Sequence, residues 1–351
     1  MTAMVLMSHG CTRQRRRTAV LLLLAATTLA AAFASLLVGA LPIAPAKVWS
    51  ILADGAGDLA ERTTILDLRL PRTLLGLLVG ASLGVGGAAL QGLFRNPLAD
   101  PTLVGVSSGA ALATVTAIVL GDVAVAALPA LAPWIAGRWF IMLFAFGGAM
   151  AAALCVLGLG RGMATSMLLA GIGINALSMA VVGLLVFASN DRQLRDITFW
   201  TMGSIGGAGW PTIAAVAPVV LLALLLILPC ARGLDALTLG EREAGHLGVP
   251  VQRLGLTVVA GVALAVGASV SVSGIIGFVG LVVPHLVRLC AGPDHRTVLA
   301  GSALLGAALM VAADCIARTI VAPAELPVGV VTAFIGTPVF LWLIRRKRSD
   351  A

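Results

Sequence analysis

The stretch RLPRTLLGLLVGASLGVGGAALQGLFRN, Arg69 to Asn96, decides the fold class. From Thr73 to Phe94 it carries no charge, and a helix over that run is about 33 Å long, enough to cross the hydrocarbon core of a bilayer. Gly80, Gly84 and Gly87 recur at helical spacing beside Ala81, Ser82 and Ala88. Small residues in that pattern let helix backbones approach closely, a principal source of packing energy in lipid. The stripe therefore reads as a helix contact.

The rest of the chain has the same character. Of 351 residues, 60% are hydrophobic and 11% charged, with a mean hydropathy of +1.06. An ordinary soluble domain is about 25% charged. A soluble globule needs more polar surface, and a disordered chain would not carry so much Leu, Val and Ala. The net charge of +8 is then no footprint for nucleic acid. Lys and Arg collect in the cytoplasmic loops of membrane proteins, so the charge reports topology.

Nine further apolar runs accompany Thr73 to Phe94. They are Thr18 to Ala40, Thr102 to Leu120, Trp139 to Leu159, Ser166 to Phe187, Thr212 to Cys230, Arg253 to Val270, Gly274 to Cys290, Val298 to Val321 and Pro327 to Ile344. The first follows Arg13, Arg15, Arg16 and Arg17 like a signal peptide, but signal h-regions span only about 7 to 15 residues. The seventh and eighth runs are divided at Ser271 to Gly274, because one helix over both would overshoot the bilayer. Val123 to Ile135, with Pro129 and Pro133, reads as an interfacial or re-entrant piece.

Ten spans put both termini on one side. With that side cytoplasmic, eight cations fall outside: Lys47, Arg62, Arg69, Arg72, Arg138, Arg192, Arg195 and Arg318. The other fifteen of the 23 Lys and Arg fall inside, as the positive-inside rule requires. The expected organisation is a cytoplasmic tail over 1–17, one all-α membrane domain over 18–344 with a cytoplasmic segment at about 234–253, and a basic tail over 345–351. An echo between VGASLGVGG from Val79 and VGASVSVSG from Val266 hints at an internal repeat of the kind transporters use.

Catalytic signatures are missing. The only lysines, Lys47 and Lys347, do not stand in a phosphate-loop frame. Five cysteines show no CxxC spacing, and four histidines are too scattered for a metal site on one helix face. If ATP drives this protein, another chain hydrolyses it.

Three stretches go beyond composition: Arg69-Leu-Pro-Arg72 with Gln91-Gly-Leu-Phe-Arg-Asn-Pro-Leu-Ala-Asp-Pro101, Leu239-Gly-Glu-Arg-Glu-Ala-Gly-His-Leu-Gly-Val-Pro250, and Gly277-Phe-Val-Gly-Leu-Val-Val-Pro-His285 with Glu325-Leu-Pro-Val-Gly329. Together, in this order, they resemble the permease subunits of ABC importers for iron-siderophores, haem and vitamin B12. The resemblance runs from about Arg69 to Ile344. It implies a type II ABC importer permease fold in the bacterial inner membrane, in contact with lipid and not with nucleic acid. The implied partners are a second copy of the chain, two ATP-binding cassette subunits that use ATP and Mg, and a periplasmic substrate-binding protein. No permanently bound cofactor or metal is implied.

The resemblance also assigns residues. Arg69, Arg72 and Arg318 are expected to dock acidic residues of the binding protein, for which a planar guanidinium is suited. The competing readings are snorkelling to headgroups and, for Arg318, an intrahelical pair with Asp314. Gly240, Glu241, Ala244, Leu247, Gly248 and Pro250 belong to two short coupling helices that slot into the ATPases. A rigid helix there would transmit a shift that a floppy loop would absorb. Asn96 and Leu98, with Thr165 and Ser166, are expected at the inner gate, although the hydroxyls would serve equally as N-caps and Asn96-Pro97 as a turn. Leu194 to Trp210, including Met202, is expected to form a short helix beside the path.

The Phe199-Trp-Thr-Met-Gly-Ser204 version most resembles haem permeases, with siderophore or vitamin B12 cargo as the alternatives. The chain contains no Tyr, so strong iron ligation during passage is not expected. Two readings from other classes compete. An ion-coupled secondary transporter would need a buried carboxylate, for which Asp314 is the candidate. An intramembrane enzyme would need a nucleophile and base, and His285 has no partner at helical spacing.

Overall fold

The computed structural model describes residues 2–349 apart from Ala40, Ala56, Ala136, Arg161 and Gly162. The expected end of the first span at Ala40, the inner cation Arg161 and the last two residues of the basic tail lie outside the described residues. The chain folds into α1 (Thr2–Leu37), α2 (Pro45–Asp54), α3 (Leu59–Arg62), α4 (Leu70–Leu93), α5 (Val106–Ala127), α6 (Ala132–Ile135), α7 (Arg138–Gly160) and α8 (Ala164–Phe187). It continues through α9 (Asp191–Met202), α10 (Trp210–Ile227), α11 (Ala231–Leu237), α12 (Glu241–His246), α13 (Val251–Ser273), α14 (Val279–Ala291), α15 (His295–Ala317) and α16 (Val328–Ser349). Among the described residues, eight helical stretches are long and apolar enough to cross a membrane, and two shorter apolar helices, in α14 and α16, fall where the remaining two expected runs lie.

The boundaries differ from the sequence reading where backbone geometry intervenes. The second span starts well before Thr73, because a π-helical segment, Thr63–Arg69, joins α3 to α4 without a break. Val123 to Ala127 is the last turn of α5, so only Pro129–Ile135 forms a separate piece, opening on a 3-10 turn at Pro129 where proline has no amide hydrogen to give. The division between the seventh and eighth runs holds: Gly274, at φ +69°, ends α13. At 13 residues, α14 is about 20 Å long and cannot span alone, so the eighth run crosses as a short non-helical segment, Gly274 to Phe278, followed by helix. The outer helix α2 falls outside every expected run.

The glycine stripe of α4 is a contact surface. A Cβ at Gly80 would stand 2.2 Å from the carbonyl oxygen of Gly306, one at Gly84 2.2 Å from that of Ser302, and one at Gly87 1.9 Å from that of Gly280. Helix α4 therefore lies backbone to backbone on α15 and α14. The two echo segments fall in α4 and α13, both deeply enclosed, where Gly86 faces Val266. One core of small and β-branched side chains joins α4, α13, α14 and α15.

Candidate functional site

At the expected outer end, three arginines meet the ends of α1, α4 and α15. Arg69 closes the π-helical segment, and its buried guanidinium donates to the carbonyls of Leu36 (2.7 Å), Leu37 (3.1 Å) and Leu41. It thereby satisfies carbonyls that α1 leaves without partners at its C-terminus, where a cation is favoured. Arg72 grips Asp314 at two points, from Nε to Oδ2 at 3.0 Å and from Nη2 to Oδ1 at 2.8 Å, while its Nη1 donates to Glu325 at 2.8 Å. Arg318 donates to the Ser35 carbonyl at 2.9 Å, and its Nε lies 3.6 Å from Asp314 Oδ2.

An uninterrupted α-helix would place Arg69 and Arg72, three residues apart, on one face. The π-helical turn ends between them, and they diverge to separate partners. The pair of Arg318 with Asp314 is present, and Arg72 shares that carboxylate. All three arginines are turned inward to protein partners, so none snorkels. Asp314 is 1% exposed, whereas the Glu325 side chain is 46% exposed. The residue of this cluster most open to a partner is thus Glu325, to which the sequence reading gave no role.

At the other end, two short helices, α11 and α12, stand between α10 and α13, and the residues expected for coupling, Gly240 to Pro250, gather on and around α12 alone. Gly240 enters α12 at φ +128°, where a Cβ would meet Glu243 Oε2 at 2.0 Å. The helix closes at Gly248, φ +83°, with the Val249 amide donating to the Ala244 carbonyl at 3.0 Å, and Pro250 then leads into α13. Ala244 is fully buried and Leu247 is exposed, so the two residues expected at the ATPase divide between core and surface. Glu241 lies in the first turn of α12, partly exposed. Asp235 of α11 accepts from the backbone amide and ring Nδ1 of His295, at 2.9 and 2.7 Å. That link ties α11 to α15 across 60 positions, and no local pattern announces it.

Asn96 makes the turn after α4, its Oδ1 accepting from the Leu98 amide at 2.9 Å, and Leu98 is half exposed. Thr165 and Ser166 lie in the first turn of α8, whose N-cap is Met163 with no side-chain cap. Neither hydroxyl caps the helix, and none of the hydrogen bonds among the described residues joins them to Asn96. Met202 ends the expected short helix α9, which starts with a reciprocal cap between Asn190 and Gln193. It borders a cavity of about 600 Å³ with Phe278 and Phe334. Gly329 at the start of α16 fits against the Met202 carbonyl, from which a Cβ would stand 2.2 Å. No group of His, Cys, Asp and Glu arranged to hold a metal occurs among the described residues.

The whole bundle superposes on a solved chain described as an inward-facing conformation of a proposed metal-chelate type ABC transporter. The TM-score is 0.82 at 30% identity, over 94% of this chain and 99% of that one. The fold is thus that of a type II ABC importer permease. The model of the FecCD transport family matches residues 25–346, and the chain belongs to that family. Relatives include the hemin transport system permease protein HmuU of Yersinia pestis, 45% identical over 91% of this chain and 93% of that protein. The cobalamin import system permease protein BtuC of Halobacterium salinarum is 44% identical over 81% of this chain and 74% of that protein. The chain is accordingly a multi-pass inner-membrane permease and not an enzyme, ATP being hydrolysed by a separate subunit.

Proposed function

We propose that this permease carries haem into the cytoplasm, working as a homodimer with two ATP-binding cassette subunits and a periplasmic binding protein, with both termini cytoplasmic. The observation that carries the haem reading is the 45% identity to a hemin permease over nearly the whole of both chains. The match to a cobalamin permease at 44% identity, over less of each chain, supports cobalamin as the alternative cargo. The cationic excess at the α11–α12 end supports the orientation.

In this reading the Arg72 cluster receives the binding protein, Leu247 and Glu241 engage the ATPase, and Asn96, Leu98, Thr165, Ser166 and Met202 border the path. A pathway of weakly polar residues suits a bulky cargo that must also leave. The second copy is supported by Phe334, which stands 77% exposed beside the Met202 cavity, and by the open space before Gly173 and Gly183 of α8. Reconstitution of the complete importer in proteoliposomes tests the reading. ATP-dependent uptake of haem in preference to cobalamin is expected, and the reverse preference overturns the haem assignment.

A further inference from the structure

A second cavity, of about 440 Å³, lies where the ends of α4 and α14 meet the start of α15 and the turn between α11 and α12. It shares no lining residue with the Met202 cavity. Gln91, Arg95, Thr238, His285, Arg288 and His295 line it, and no Asp or Glu occurs among its described lining residues. Gln91, Arg95 and His285 belong to the quoted motifs, yet neither docking nor coupling uses them.

The polar groups are positioned. The Gln91 amide donates to the carbonyls of Gly280 (3.2 Å) and Leu281 (3.3 Å), which turns its oxygen toward Arg288 Nη1. That contact occupies one of the five donors of the guanidinium, and Arg288 has no ion pair among the described residues. Arg95 sits at φ +50°, a left-handed conformation that glycine usually supplies after a helix. The Asn96 amide, donating to the Gln91 carbonyl at 3.2 Å, closes that turn. The Arg95 amide donates to the Gly92 carbonyl at 3.3 Å, whereas its guanidinium has no hydrogen bond or ion pair among the described residues. Asp235 holds His295 through Nδ1, which leaves Nε2 facing Gly92, where a Cβ would stand 2.6 Å away. The lack of a side chain at Gly92 keeps that space open.

Two guanidiniums and two imidazoles thus converge with no carboxylate among the lining residues. Of these groups Arg288 is the partly buried cation with no ion pair among the described residues, and such a charge is costly without a counter-charge. We infer that this cavity binds a phosphate-type oxyanion, carried by an anionic lipid headgroup or by a soluble phosphate compound. The guanidinium fork matches phosphate oxygens, and basic pockets between spans on the cytoplasmic side take anionic headgroups. A bound anion would bridge the ends of α4 and α14 to the α11–α12 turn, stiffening the segment that meets the ATPase. The inference uses the inner orientation but not the identity of the cargo.

The whole chain is tested in nanodiscs without its ATPase, so that no nucleotide site contributes. One arm titrates pyrophosphate calorimetrically in phosphatidylcholine nanodiscs. The other exchanges cardiolipin onto the protein and counts retained lipid by native mass spectrometry. Binding of pyrophosphate identifies a soluble source, and retention of cardiolipin over phosphatidylcholine a lipid source; either supports the site if Arg95→Gln weakens it at least tenfold while Arg95→Lys keeps most of it. Arg95 is exposed, so its replacement is the least coupled to folding. Failure of the wild-type chain to hold either anion, or undiminished binding by folded Arg95→Gln, overturns the proposal.

Discussion

Arg72 and Asp314, 242 positions apart, form a two-point ion pair at 2.8 and 3.0 Å that fastens the start of α4 to the end of α15. The same carboxylate faces Arg318, so one buried anion serves two buried cations. With a partner on each side, Asp314 lacks the isolation that a proton or sodium site requires.

Asp314→Asn should be strongly destabilising. Removing one member of a buried ionic group leaves the others uncompensated, at about 3–5 kcal/mol. A thermal melt of the detergent-purified protein should shift down by several degrees. An unchanged midpoint would show that the cluster contributes nothing to the fold.

The α4–α15 contact gives a steric prediction. Gly80→Val and Gly306→Val would place a Cβ 2.2 and 2.3 Å from a facing carbonyl oxygen, deep inside van der Waals contact, and should abolish monodisperse protein on size-exclusion chromatography. Gly147→Ala and Gly158→Ala, in open space on α7, should leave the yield unchanged.

Docking through the Arg72 cluster predicts an effect of Glu325. Its carboxylate already occupies Arg72 Nη1 at 2.8 Å, in competition with any carboxylate of a binding protein. Glu325→Gln should tighten association with the binding protein several-fold in a surface-resonance assay, whereas Arg72→Gln should weaken it. Looser association in Glu325→Gln would assign the exposed carboxylate, and not the arginine, to the partner.

Ala244 and Leu247 should separate two kinds of defect. Leu247→Glu, on the surface, should leave the fold intact and reduce uptake per ATP hydrolysed in proteoliposomes. Ala244→Glu would bury a charge with no partner and should lower the yield of folded protein instead. Equal behaviour of the two variants would contradict the division of α12 into a buried and an exposed face.

The ten runs and the glycine stripe were legible because lipid imposes local rules. A span must be long and apolar, and a close helix contact must be made of small residues, so both leave a pattern in consecutive positions. The turn at Gly248 and the short helices before it were legible for the same reason, glycine and proline being read where they stand. Less could be read of the sites. The resemblance pointed to Arg69, Arg72 and Arg318 but not to their partners, of which helical spacing offered only Asp314, and that for Arg318 alone. Leu36, Ser35, Asp314 and Glu325 come from three other parts of the chain. The link from Asp235 to His295 and the cavity beside it left no signal of their own, each residue sitting in an unremarkable local context.

The sequence by itself determined the membrane class, the ten spans, the even topology expected from its cations and the residues where small side chains must lie. Only the tertiary structure decided that Arg69 caps α1 while Arg72 clamps α15, that Ala244 faces inward and Leu247 outward, and that basic side chains from α14, α15 and the turn after α4 meet around one cavity beside Gly92. Hydropathy and backbone propensity act along the chain within a few residues. Ion pairs, helix caps from distant arginines and shared cavities depend on which helices become neighbours, and that is settled only when the bundle closes.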